Sequence, residues 1–279
     1  MTAREIDLDV DGLTLHASCE GSGPPIVLIH GFTGTGASWR SLVEVLAPDF
    51  TTIAVDLVGH GRSGSPSTPE RYAMRRAVDD LAALLRALGH ERAAWLGYSL
   101  GGRVALQVAV HRPDVVSALV LEGATPGLAT AEERTARVAA DEAIAQRLDR
   151  DGIEAFVDFW QSISLWDSQQ RTLSDHQRAG LRQGRLAQAP LGLVGSLRGM
   201  GTGAQEWVGD RLDEVRVPVL LTAGTLDVKF SEIAREMAAT LPDSTMRLIE
   251  DAGHAAHLER PAVFNAVVRE FLLGVRARL

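Results

Sequence analysis

Gly97-Tyr98-Ser99-Leu100-Gly101 sets a serine between two glycines, directly after the apolar run Ala93 to Leu96 and directly before a helical pattern that starts near Leu100. A sharp turn between strand and helix holds the Ser99 hydroxyl exposed above a sheet, with a helix N-terminus behind it. Such a hydroxyl is weak at neutral pH. It needs an imidazole to take its proton and a carboxylate to hold that imidazole in the right tautomer. Asp227 follows the apolar run Pro218 to Thr222, and His254 follows Met246 to Ile249, so both lie at carboxyl ends of expected strands. His257 competes for the role of base but begins the approach to the last helix. Asp251 competes for the role of acid, but its place three residues before His254 suits local turn capping.

His30-Gly31-Phe32 follows the apolar run Ile26 to Ile29. The backbone N–H of Phe32 and that of Leu100, just after the serine, are the expected pair of donors to one developing oxyanion. The side chain of His30 reads as a core histidine that fixes the loop. His60, in the loop Asp56 to Ser63, reads as a structural hydrogen-bonder rather than a base.

These residues need a sheet to carry them. Polar and apolar residues alternate on either side of Asp11-Gly12, which predicts an opening hairpin with a type I′ turn. Ile26 to Ile29, Thr52 to Val55, Ala93 to Leu96 and Val116 to Leu121 read as buried strands, and Trp39 to Leu46, Arg75 to Leu88 and Leu100 to His111 as helices between them. That alternation predicts an α/β fold: a mostly parallel sheet covered by helices on both faces. From Thr125 to Trp207 there are helical patterns (Ala131 to Leu148, Ile153 to Ser162, Asp175 to Ala187, Gly192 to Leu197) and no convincing strand. The expected organisation is a core of residues 1–124 and 208–279 with an inserted helical cap, 125–207. Strands resume at Val217 to Leu221 and Met246 to Ile249, and a helix from Pro261 to Val275 closes the chain.

The formal charge of −8 comes with 27 arginines, one lysine and no long run of like charge, which argues against nucleic acid and against a polybasic membrane anchor. The lone Cys19 can form neither an internal disulfide nor a thiolate cluster. No long apolar run and no positively charged leader near Met1 is visible, so a cytoplasmic protein is expected. No histidine pairs with a second ligand at zinc spacing and no glycine-rich phosphate fingerprint is present, so neither metal nor cofactor is expected.

Serine, acid, histidine is the chain order of α/β-hydrolases. His30-Gly31-Phe32-Thr33-Gly34-Thr35 with Trp39, Asp56-Leu57 with Gly59-His60-Gly61, the Ser99 motif and Gly253-His254 together resemble that fold from end to end. Tyr98, Arg103, Pro126-Gly127-Leu128 and Asp227-Val228-Lys229-Phe230 narrow the resemblance to the 2-succinyl-6-hydroxy-2,4-cyclohexadiene-1-carboxylate synthase family of menaquinone biosynthesis. The resemblance implies an elimination of pyruvate from a small polycarboxylate, with Ser99 acting as a base rather than as a nucleophile. It implies a substrate site of Tyr98, Arg103, Arg134 and Arg185, with Arg137 an equal match to Arg134 one turn along. Trp160, and Trp166 with it, would lie over the substrate ring. Guanidinium forks suit carboxylates, and a covered pocket strengthens each pair. An esterase or C–C hydrolase using the same three residues, and a non-catalytic ligand receptor on this fold, are the alternative readings. The family pattern is hardest to follow at Thr125 and through the glycine-rich stretch Ala189 to Val208. Lys229, the lone lysine, suggests a local requirement in the loop of the acid.

Overall fold

The computed structural model describes residues 3–279; Met1, with which the leader reading begins, lies outside them. Strands β1 (Arg4–Val10) and β2 (Leu13–Gly21) pair antiparallel around Asp11 and Gly12, whose φ values of 53° and 74° are those of a type I′ turn. The chain continues through β3 (Pro25–Ile29), α1 (Arg40–Leu46), β4 (Thr51–Val55), α2 (Met74–Ala87), β5 (Ala93–Tyr98), α3 (Leu100–His111) and β6 (Val116–Glu122). After a helical stretch come β7 (Val219–Gly224), a helix, and a last strand at Ser244–Ile249.

Among the described residues the sheet has eight strands, in the order β1-β2-β4-β3-β5-β6-β7 and the last strand. Only β1–β2 and β2–β4 pair antiparallel. Helices cover both faces, which is why the central strands are buried and apolar throughout. Along β3 the side chains alternate: Val27 and Ile29 pack with Leu81, Leu85 and Val104 of α2 and α3, while Ile26 and Leu28 pack with Leu42 and Leu46 of α1. β7 starts at Val219, two residues later than expected. Pro218 has no N–H to give a ladder, though its carbonyl accepts from Leu119.

Between β6 and β7 the chain is helical: α4 (Ala131–Ser162), α5 (Gln169–Thr172), α6 (Asp175–Leu186) and α7 (Pro190–Met200). The two helices expected over 131–162 run on from one another across Gly152, whose φ of 79° marks the break. Thr130 and Glu133 cap each other's backbone at the start of α4, and Ser174 and Gln177 do the same at α6. The glycine-rich stretch has a packing reason. Gly192, Gly195 and Gly199 share one face of α7, and a Cβ there would come within 2.1 Å of the Gly59 carbonyl, 2.4 Å of the Tyr72 ring and 2.4 Å of the Tyr72 carbonyl, respectively. Their absence of side chains seats α7 directly on the loop after β4. The remaining elements are α8 (Val228–Thr240), β8 (Ser244–Ile249), α9 (Ala256–Glu259) and α10 (Pro261–Gly274). No helix of the described residues is long and apolar enough to cross a membrane.

Candidate active site

Ser99 sits at φ 51° and ψ −108°, a backbone state that a non-glycine residue holds only under constraint. Its flanking glycines supply that constraint. A Cβ at Gly97 would lie 2.1 Å from the Gly101 carbonyl oxygen, and one at Gly101 would lie 2.1 Å from that of Ile29. The turn is therefore as tight as backbone packing permits. The Ser99 N–H donates to the Glu122 carbonyl at 2.8 Å, which ties the turn to the end of β6.

The Ser99 hydroxyl lies 3.0 Å from His254 Nε2, and His254 Nδ1 lies 2.7 Å from Asp227 Oδ2. A carboxylate only accepts, so Nδ1 carries the proton and Nε2 is free to take one from the serine. Asp227 caps α8, its second oxygen accepting from the Phe230 N–H at 3.3 Å. The His254 ring is buried against Phe230, Tyr98 and Trp166, with ring centroids 4.5, 5.3 and 5.9 Å away.

The rival residues are engaged elsewhere. His257 Nδ1 bonds the Glu122 carboxylate, and the exposed Asp251 donates its N–H to Thr225 and faces Arg260 at 3.9 Å. His30 donates from Nδ1 to the Gly31 carbonyl at 2.7 Å and accepts the Leu57 N–H at Nε2 at 3.0 Å. Burial pushes His30 down to about 4 and His60 down to about 3, with His30 adding to the shift of His60, so both rings are neutral at pH 7. Phe32 and Leu100 line the same cavity as Ser99, and neither N–H has an acceptor among the described residues. That leaves two donors open to a charge on a bound molecule.

The cavity above Ser99 is about 390 Å³ and is walled by Phe32, Tyr98, Trp160 and Trp166 along with Arg103, Arg137 and Asp141. Arg103 is buried and donates to the Met200 carbonyl at 2.7 Å and to the side chain of Gln205. Burial, and then the nearby charge of Arg137, lower Arg103 to about 9, so it remains a cation at neutral pH. Arg137 pairs with Asp141 at 2.8 Å. Burial raises Asp141 above the usual carboxylate range even so. Lys229 also lines this cavity, its ammonium 5.6 Å from the Phe230 ring centre.

A second cavity of about 370 Å³ shares Phe32, Tyr98 and Trp166 with the first and holds Arg185. Arg185 is buried, its guanidinium 5.2 Å over the Trp166 ring, and its pKa is lowered by that burial. The Tyr98 hydroxyl, in the shared wall, is buried without a partner, and burial raises its pKa well above the ordinary value.

The three arginines of the expected substrate site do not line one cavity. Arg134, in the first turn of α4, donates to the Leu128 and Ala129 carbonyls at 2.8 Å and does not line either cavity; Arg137 does so instead. Arg185 lies in the adjoining cavity rather than above Ser99. Arg103 and Trp160 do line the Ser99 cavity. Asp141 and Gln205 escaped the reading of the sequence. The spacing of four between Arg137 and Asp141 was a visible signal, whereas nothing marks Gln205 within its glycine-rich segment.

Residues 24–261 match the family model described as alpha/beta hydrolase fold. Proteins named 2-succinyl-6-hydroxy-2,4-cyclohexadiene-1-carboxylate synthase are similar over nearly their whole length. The one from Pectobacterium atrosepticum is 34% identical over 92% of this chain and 97% of its own. A Bacillus subtilis relative whose name assigns that activity provisionally is 43% identical over 95% of this chain and 97% of its own. Among solved structures, MenH from S. aureus superposes with a TM-score of 0.89 at 32% identity, covering 93% of this chain and 98% of that one. A thermophilic esterase from Thermogutta terrifontis superposes with 0.84 at 27% identity, covering 99% and 100%. The chain belongs to the α/β-hydrolase fold family and, within it, to the family of the 2-succinyl-6-hydroxy-2,4-cyclohexadiene-1-carboxylate synthases.

Proposed function

We propose that this chain is a lyase of menaquinone biosynthesis. It eliminates pyruvate from 2-succinyl-5-enolpyruvyl-6-hydroxy-3-cyclohexene-1-carboxylate to give 2-succinyl-6-hydroxy-2,4-cyclohexadiene-1-carboxylate. The observation that carries the reading is the relay Ser99–His254–Asp227, at 3.0 and 2.7 Å, opening into a cavity lined by two cations, the buried Arg103 and the more exposed Arg137. A relay without those cations would suit a neutral ester as well.

His254 takes the Ser99 proton as Ser99 removes a proton from a ring carbon. The released electron pair forms the C2–C3 double bond, the C3–C4 double bond shifts to C4–C5, and the carbon–oxygen bond from C5 to the enolpyruvyl group breaks. Pyruvate leaves as its enolate, which the open N–H groups of Phe32 and Leu100 are placed to hold, and it is protonated from the His254 side. Every proton is accounted for and no electron is gained or lost, so the step needs no redox cofactor. Arg103 and Arg137 hold one carboxylate arm, Arg185 with Tyr98 a second, and Trp160 and Trp166 flank the ring. On this reading residues 125–207 are a cap over a core of 1–124 and 208–279, and the single Cys19 suits a cytoplasmic enzyme.

The test couples pyruvate release to a lactate dehydrogenase assay, with substrate made in situ by the preceding pathway enzyme. Rapid release that vanishes in Ser99→Ala is expected. Release no faster than the spontaneous rate overturns the reading. The open oxyanion donors and the likeness to an esterase keep one second reading: ester hydrolysis through an acyl-Ser99 intermediate. It requires burst kinetics on an activated ester and indifference to Arg103→Ala.

A further inference from the structure

The carboxylate of Glu259, at the end of α9, is buried behind His254. One oxygen accepts the Gly253 N–H at 2.9 Å and the Thr172 hydroxyl at 3.1 Å; the other accepts the Ala255 N–H at 3.4 Å. The two N–H groups belong to the residues on either side of His254. The hydroxyl belongs to α5, between β6 and β7. The same two segments touch again at Gly253, where a Cβ would lie 2.0 Å from Ser168 Oγ and 3.2 Å from Glu259 Oε1.

We propose that Glu259 is a positioning residue. It holds the His254 imidazole in line between Ser99 and Asp227, and it ties that placement to the seating of the Ser168–Thr172 segment on the loop. The inference rests on the reading of His254 as the base.

The loop needs such a clamp because Gly253 and His254 lie in neither ladder nor helix, and only Ala255, the N-cap residue of α9, is held by that helix, its carbonyl accepting the Leu258 and Glu259 N–H groups. A buried carboxylate surrounded by neutral donors is satisfied only if each donor stays in place, so it resists displacement of either segment. A shift of the loop moves Nε2 off the Ser99 hydroxyl directly, since the backbone on both sides of His254 moves with it.

Three variants test the proposal. Glu259→Gln keeps the shape but turns one acceptor into a donor facing an N–H. Glu259→Asp draws the carboxylate back, and Thr172→Val removes the contact from the Ser168–Thr172 segment together with the hydroxyl's 3.0 Å bond to the Ser168 carbonyl. Glu259→Gln is expected to lower kcat about 10- to 100-fold while KM stays within about twofold. Thr172→Val is expected to lower kcat about three- to tenfold. The far-downfield proton resonance of His254 Nδ1–H, identified by its loss in Asp227→Asn, is expected to broaden or vanish in Glu259→Gln. Wild-type kcat and an unchanged resonance in folded Glu259→Gln overturn the proposal. If that variant does not fold, wild-type kcat in both Glu259→Asp and Thr172→Val does so. The resonance is read without substrate, so a wild-type protein that releases no pyruvate sinks the lyase reading and leaves this test standing.

Discussion

His257 holds the Glu122 carboxylate twice, through its backbone N–H at 2.9 Å and its Nδ1 at 3.0 Å, and that carboxylate is wholly buried. Its ring packs against Trp39 and Tyr98, with centroids 4.6 Å away in each case. The residue thus belongs to the support of the site, three residues on from the histidine that faces Ser99. Removing one partner of a buried hydrogen-bonded pair leaves the other desolvated, so His257→Ala should cost about 3 kcal/mol of stability. It should keep measurable activity in the protein that remains folded. His254→Ala should lose activity outright and cost less stability than His257→Ala, because the Asp227 carboxylate it strands keeps the Phe230 N–H and some access to solvent, whereas Glu122 is wholly buried. Urea unfolding and pyruvate release on both variants decide the matter; equal loss of activity from two well-folded variants would contradict it.

Acid should unfold the protein in a window set by two histidines. His30 and His60 are held near 4 and 3 by burial, against about 6.5 in an unfolded chain. Between those values the unfolded chain binds the protons and the folded one does not, so stability rises with pH there. The contribution is full above pH about 6.5 and is lost as the pH falls toward about 4 for His30 and about 3 for His60. Each unpaired proton changes stability by about 1.4 kcal/mol per pH unit. His60→Gln should flatten the dependence of urea stability on pH by that amount between about 6 and about 4.5. A slope identical to wild type would remove His60 from the account.

How far the site could be read from the chain depended on what each residue needs. Ser99, Asp227 and His254 each stand in a short motif beside an apolar run, so the strand ends bring them to one edge of the sheet without any knowledge of packing. The arginines depend on which face of α4 and α6 turns inward. That is set by how α7 seats on Gly59 and Tyr72 through Gly192, Gly195 and Gly199, a contact between distant segments that a linear pattern does not display. Glu259 was invisible for the same reason. A glutamate five residues after His254 at the edge of a short helix looks like a solvated charge until the fold buries it. The hairpin, by contrast, was local from end to end, and its register follows from Asp11-Gly12 alone.

Arg134 and Arg137 should separate cleanly. The Arg134 guanidinium is occupied by two carbonyls at the head of α4, so Arg134→Ala should change KM by no more than about twofold and cost about 1 kcal/mol of stability. Arg137→Lys keeps a cation beside Asp141 but loses the planar fork, and it should raise KM about tenfold. Lysine rather than alanine is the informative choice, because alanine would also strand the buried Asp141. Steady-state kinetics with the in situ substrate gives both numbers, and a larger KM effect at Arg134 would return that residue to the site.

Arg185 poses the sharpest trade between stability and function. It is buried, no carboxylate of the described residues accounts for its ionisation, and its protein contact is the face of Trp166. A charge buried that way costs more than a cation–π contact returns. A flexible apolar side chain of similar length should fill the same space and spare the desolvation. Arg185→Met is therefore expected to stabilise the fold by about 1–3 kcal/mol in urea unfolding. If the guanidinium is kept for a substrate carboxylate, the same change should raise KM by about tenfold or more. A protein that is both less stable and kinetically unaltered would mean that Arg185 is there for packing. Greater stability with a raised KM would mean that the fold carries an uncompensated cation because the substrate supplies its partner.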